Sequence, residues 1–169
     1  MRHNGIQVRA ATPDDVDVLT RFSGHVRDLP ASRRHSGRPL AGPDLSERYS
    51  SLLANPTRRV FLAVDDKAGP VEEVLGMAVL AVDVAGELLD IPVVRVSHLV
   101  VDRAHRRRGA GRALVTAAAA YAEELGLDHV AVGALTTDRE ANRFFARLGF
   151  APVLVRRVAS LSVLRRELA

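Results

Sequence analysis

Arg106, Gly109 and Gly111 form the spacing Arg-x-x-Gly-x-Gly, and they stand between an apolar stretch and a run of alanine and leucine. Val94 to Asp102 reads as a strand, the basic residues from Arg103 to Arg108 as a turn, and Gly109 to Leu125 as a helix. A strand–turn–helix of this kind aims unpaired backbone N–H groups and the positive end of a helix dipole at one point in space. That is an anion site, suited above all to a pyrophosphate. Glycine lets the backbone approach closely, and the arginines Arg103, Arg106, Arg107, Arg108 and Arg112 add positive field. The competing meaning of the same residues is a basic turn whose glycines only serve a tight connection.

About thirty residues on, a second pattern follows at Asp128 to Phe150. Asp128 to Leu135 reads as a buried strand, Thr136 to Leu148 as a short helix, and Gly149-Phe150 closes it. The order of strand, anion-binding turn, helix, strand and helix ending in Gly-Phe resembles the GNAT family of N-acetyltransferases. One family motif, [Arg/Gln]-x-x-Gly-x-[Gly/Ala], is met by Arg106, Gly109 and Gly111. A later one is met by Ala141, Phe144, Gly149 and Phe150, with Phe145 where tyrosine is usual.

The resemblance implies an α/β (α+β) fold: a mixed, mostly antiparallel central sheet splayed at the middle and flanked by about four helices. It implies acetyl-CoA as co-substrate and transfer of the acetyl group to a primary amine by direct attack. The pyrophosphate would rest on the backbone of Arg106, Arg107, Arg108, Gly109, Ala110, Gly111 and Arg112, with the pantetheine arm along Leu99, Val100 and Val101. Asp138 falls where a cofactor-contacting asparagine is frequent, and Asn142 lies one turn later. Phe145 takes the place of the tyrosine that protonates the departing thiolate, and phenylalanine cannot donate; Tyr49 or solvent is the substitute. The usual base positions hold Arg95 and Ser97. His98 is the adjacent candidate, but strand alternation points it away from Ser97 unless a bulge re-aims it. The alternative is an acyl-CoA-binding domain with weak or no catalysis, acting as a sensor or structural partner.

The elements that must position these groups read as one domain over residues 1–169. Ile6 to Ala10 is a first strand, and Thr12-Pro13-Asp14-Asp15 starts a helix that ends near Gly24. Leu29 to Pro43 is loop-like, and Asp44 to Ala54 is a second helix. Arg59 to Asp65 and Val74 to Val84 are strands around a turn at Lys67 to Pro70, and Gly86 to Pro92 leads into the next strand. Leu114, Ala117, Ala118, Tyr121 and Leu125 recur at helical spacing, so Tyr121 reads as a packing residue, and Gly126 is the C-terminal cap. The tail from Val153 to Leu164 alternates as one or two final strands.

Composition narrows the function further. The 169 residues are 47% hydrophobic and 26% charged, which is ordinary for a globular domain. The absence of cysteine excludes disulfides, a thiol nucleophile and thiolate metal sites. No apolar run is long enough to span a membrane, and the start has no apolar signal core, so the expected location is cytoplasmic. The formal charge of +4 rests almost wholly on arginine, since Lys67 is the only lysine. With five phenylalanines, two tyrosines and no tryptophan there is little base-stacking surface, so no nucleic acid is expected as a partner. Gly109 to Leu114 imitates a dinucleotide fingerprint without its third glycine, and no Lys-Ser/Thr follows as a phosphate-binding loop of the Walker type requires. The acceptor is a small-molecule or peptide amine; Asp28, Asp44, Glu47, Glu87 and Asp90 are acids that could attract it or merely face solvent. A homodimer is a further possibility that the resemblance leaves open.

Overall fold

The computed structural model describes residues 2–3, 5–27, 44–65, 72–84, 91–134, 138–153, 159 and 161–168. The chain divides into two compact units, Met1–Val26 with Pro43–Gly133, and Arg27–Gly42 with Ala134–Ala169.

The first unit is built on a six-stranded sheet whose spatial order follows the chain: β1 (Arg2–His3), β2 (Ile6–Ala10), β3 (Arg58–Asp65), β4 (Glu73–Val84), β5 (Pro92–Val101) and β6 (Val130–Val132). Every pairing is antiparallel except the last, where β6 runs parallel to β5. A parallel neighbour needs a crossover, and α3 (Ala110–Glu124) supplies it. Two further helices, α1 (Val16–Arg27) and α2 (Leu45–Ala54), come between β2 and β3.

Alternation along the strands divides the apolar residues between two layers. One face of the sheet (Ile6, Ala63, Leu75, Ala78, Leu80, Val94, Val96) packs against Ala110, Ala113, Leu114, Ala118 and Ala122 of α3. Those positions recur at three and four residues, and their small side chains let the helix axis lie close to the strands. Tyr121 joins this layer edge-to-face with Phe61, at 6.1 Å between ring centroids, and Arg59 lies over its ring, so it packs as its spacing indicated. The other face (Val60, Leu62, Val64, Met77, Val79) packs against Leu19 and Phe22 of α1, with Tyr49, Leu52 and Leu53 of α2 half-buried beside them. At Gly76 the strands β4 and β5 approach so closely that a Cβ would stand 2.6 Å from the Val100 carbonyl oxygen.

The helix starts follow the local chemistry. A 3-10 turn, Pro13–Asp15, leads into α1, and the Asp15 carboxylate accepts bonds from the Thr12 amide at 2.7 Å and from the Thr12 hydroxyl at 3.1 Å. Arg9 grips the same carboxylate through both terminal nitrogens at 2.8 Å. Asp44 caps α2 by accepting from the amides of Ser46 and Glu47. Gly126, at φ +69°, ends α3 as expected.

In the second unit, α4 (Arg139–Arg147) is capped by Asp138 and closed by Gly149 at φ +91°. The tail differs from its sequence reading. Leu161–Glu167 is a helix, α5, where strand was expected to run through Leu164. Leu161, Leu164 and Leu168 fall at helical spacing, and Val163 alone is β-branched there, while most of the expected strand before them, 154–158 and 160, lies outside the described residues. Other boundaries shift as well: α1 runs on to Arg27, β6 is confined to Val130–Val132, and the described residues hold five α-helices rather than about four. The loop at Leu29 to Pro43, the turn at Lys67 to Pro70 and most of the Gly86 to Pro92 connection lie outside the described residues. None of the described helices is long and apolar enough to cross a membrane.

Candidate functional site

One residue sets the geometry of β5. Val79 of β4 faces His98 and Leu80 faces Val96, so Ser97 is an extra residue in the ladder, a β-bulge. Its hydroxyl donates to the Val79 carbonyl oxygen at 3.1 Å. Two consequences follow, one for the backbone and one for the side chains.

The backbone consequence is a reversal of direction. Before the bulge, Val94 donates its N–H to His129, and Gly133 donates to the Val96 carbonyl, so even-numbered residues face β6. After it, the Asp102 N–H turns to Leu75 of β4. Leu99 and Val101 therefore present their N–H and C=O groups on the β6 side, where the pairing among described residues ends with Val96 and Val132. This is the splay expected of the sheet. It leaves a strand edge on which an extended amide-bearing chain finds donors and acceptors in register.

The side-chain consequence concerns His98. Val94, Val96, Leu99 and Val101 belong to the layer under α3, whereas Val79 and Val100 belong to the layer under α1 and α2. Ser97 and His98 thus both lie between Val96 and Leu99 on the α1/α2 side, the side on which Tyr49 packs. His98 Nδ1 is 3.3 Å from the Ser97 oxygen. Because that hydroxyl spends its proton on Val79, it meets the ring as an acceptor, which places the imidazole proton on Nδ1 and leaves Nε2 bare. His98 is exposed on the sheet face, and partial loss of hydration there, then the charge of Arg95, hold its pKa below the usual histidine value. A neutral imidazole with an unprotonated Nε2 has the chemistry to accept a proton. Arg95 itself, on the same face, is bonded to Asp83 at 2.5 Å.

The turn expected to bind an anion follows β5 directly. Asp102 caps a 3-10 turn at Arg103–His105, and Gly109, at φ +102°, is the residue before α3. Positive φ favours glycine there, whereas Arg107 adopts φ +65° as an arginine and carries strain of about 1–2 kcal/mol. The Gly109 carbonyl accepts the first helical bond, from Ala113, so the amides of Ala110, Gly111 and Arg112 have no acceptor within the helix. These three amides and the helix dipole form a cradle whose chemistry fits a pyrophosphate.

Sequence reasoning missed what holds this turn. Arg108 donates to Asp65 at 2.6 Å and lies 3.0 Å from His105 Nδ1; His105 Nε2 lies 3.3 Å from Glu73. Asp65 and Glu73 face each other across β3 and β4. The Arg108 side chain is therefore a tether to the sheet, and only its backbone is left for the expected anion site. No spacing in the sequence links position 65 to position 108.

Three expected cofactor contacts, Asp138, Asn142 and Phe145, belong to the second unit. Asp138 uses its carboxylate on the Ala141 amide at 2.9 Å, and Asn142 donates to the Asp138 carbonyl oxygen at 2.6 Å. Phe145 is buried between Phe144 and Phe150, edge-on to both. Of the acids considered for the acceptor, Asp44 is occupied as a helix cap, Glu47 is exposed, and Asp28, Glu87 and Asp90 lie outside the described residues.

Residues 26–150 match the family described as Acetyltransferase (GNAT) family. A search of curated proteins found no match. Among solved structures, a tetramutant of the BH1408 protein from Bacillus halodurans superposes with a TM-score of 0.74 at 21% identity, covering 92% of this chain and 99% of its own. An aminoglycoside acetyltransferase, meta-AAC0020, from an uncultured soil metagenomic sample gives 0.67 at 22% identity over 94% and 97%. A ribosomal-protein-alanine N-acetyltransferase from Brucella melitensis gives 0.65 at 16% identity over 92% and 99%. At these identities the likeness is one of fold.

Proposed function

The chain belongs to the GNAT acetyltransferase family, and from that premise we propose that it is an acetyl-CoA-dependent N-acetyltransferase acting on a primary amine by direct attack. The observation that carries the reading is the bulge at Ser97. It opens the edge of β5 and turns His98 to the α1/α2 side of the sheet within one strand. Bound acetyl-CoA supplies the activated acetyl group. The amides of Ala110, Gly111 and Arg112 hold its pyrophosphate, and the Leu99 and Val101 backbone groups pair with its pantetheine amides. Gly109 and Gly111 keep that cradle free of side chains.

His98 Nε2 takes the proton that the attacking nitrogen loses, with Ser97 holding the ring in its Nδ1–H form. The new C–N bond forms as the C–S bond breaks, and the sulfur takes a proton from Tyr49 in place of the tyrosine that Phe145 replaces. A thiolate is a tolerable leaving group, so this donor affects rate rather than binding. The test is CoA release from acetyl-CoA over a library of primary amines. Turnover that falls with His98→Ala and is slowed by Tyr49→Phe supports the reading. Tight acetyl-CoA binding with no turnover of any amine replaces it with an acyl-CoA-binding domain without catalysis.

A further inference from the structure

The face of the sheet that carries His98 also carries an arginine whose donors are only partly used. Arg95 stands opposite Ala81 on β5, two residues before the bulge. Its Nε donates to Asp83 Oδ2, a bond that fixes the plane of the guanidinium, and its side chain is 39% exposed. Among the described residues neither Nη1 nor Nη2 has a hydrogen-bond partner. Arg95 is also close enough to His98 for its charge to resist protonation of the ring.

A guanidinium anchored through Nε, with both terminal nitrogens open, is a planar fork that matches a carboxylate. A polyamine would meet the same group as a like charge. Among the described residues Asp83 holds Arg95 itself and Asp44 accepts the first amides of α2, which leaves the exposed Glu47 of the acids considered for the acceptor. We infer that the acceptor carries a carboxylate close to its amine, as in an α-amino acid, and that Arg95 holds this carboxylate while His98 receives the proton of the amine. The inference rests on the acetyltransferase reading above and names the substrate class of that site.

The experiment follows CoA thiol release by the purified full chain at about pH 8, where an ordinary or lowered histidine is neutral. The acceptors are L-amino acids, the same amino acids as carboxamides, and spermidine as an amine without a carboxylate. The expected result is that at least one L-amino acid is turned over with a kcat/KM about tenfold or more above its carboxamide, the value of a charge-assisted contact. Arg95→Gln then removes that preference by raising KM for the amino acid with kcat little changed, and Arg95→Lys keeps part of it. Carboxamides or spermidine turned over as well as the amino acids overturn the inference, as does a preference that survives Arg95→Gln. The wild-type comparison of acid with carboxamide stands even where a variant fails to fold. Thermal stabilisation by acetyl-CoA separates the two readings. Stabilisation without turnover of any carboxylate-bearing amine overturns this inference alone, and no stabilisation overturns the acetyltransferase reading with it.

Discussion

Arg108 and Asp65 meet at 2.6 Å, across 43 residues of sequence, and the contact ties the turn before α3 to the end of β3. The carboxylate is the more buried partner, at 13% side-chain exposure against 47% for the arginine. Arg108 points its guanidinium at the sheet, so under the proposed function its effect on a pyrophosphate would run through the position of the turn, including the strained Arg107. Asp65→Ala and Arg108→Ala are each expected to weaken acetyl-CoA binding by about 1 kcal/mol, several-fold in Kd. The double variant is expected to lose little more than either single one. Calorimetric titration measures this. Tighter binding in Asp65→Ala would mean instead that the released arginine is itself a phosphate ligand.

The turn was legible in the sequence because its requirements are local. Gly109 answers a positive φ, Gly111 sits on the first turn of a helix, and the alanines of α3 repeat at helical spacing. The helix start at Thr12–Asp15 was legible for the same reason. What was not legible depends on partners distant in sequence. The bulge at Ser97 is decided by how β5 registers against β4, so alternation alone placed His98 on the wrong face from Ser97. The tethers of Arg108 and His105 need Asp65 and Glu73, which only the sheet brings near. The tail failed in the opposite way at its end: the strand reading ran through Leu164, where Leu161–Glu167 has the spacing of a helix.

Under the proposed mechanism the pH dependence of turnover follows from His98. Its protonated form is disfavoured by partial desolvation against the sheet and by Arg95, so the ring stays a base to a lower pH than the ordinary histidine value of 6.5. The acid limb of kcat/KM is therefore expected below that value. Removing the arginine charge with Arg95→Gln raises the His98 pKa and moves the limb to higher pH. Ser97→Ala, which frees the Nδ1 proton, is expected to lower kcat several-fold with a smaller change in KM. An acid limb unmoved by Arg95→Gln would remove His98 from the role of base.

Asp15 makes a separate prediction about stability. Hydrogen bonding by Arg9, with further bonds from Thr12, lowers its pKa from 3.8 to about 2. The folded state favours the carboxylate, so the stabilisation is complete above the unfolded value and is lost as pH falls through about 2. The contribution is on the order of 2 kcal/mol at neutral pH. Urea unfolding of Asp15→Asn at pH 6 should show a loss of this size, and the difference from wild type should shrink towards pH 2. A variant equal to wild type at pH 6 would show the Arg9 contact to be energetically neutral.

The central claim is that the strand edge of β5 and the first turn of α3 bind acetyl-CoA. Thermal unfolding with and without acetyl-CoA, with Gly111→Glu as control, tests it most directly. A ligand at about a hundred times its dissociation constant adds roughly 2.7 kcal/mol to folding stability. A clear upward shift for the wild type, absent in a folded Gly111→Glu variant, is the predicted result. Equal melting of the wild type with and without saturating acetyl-CoA would contradict the claim.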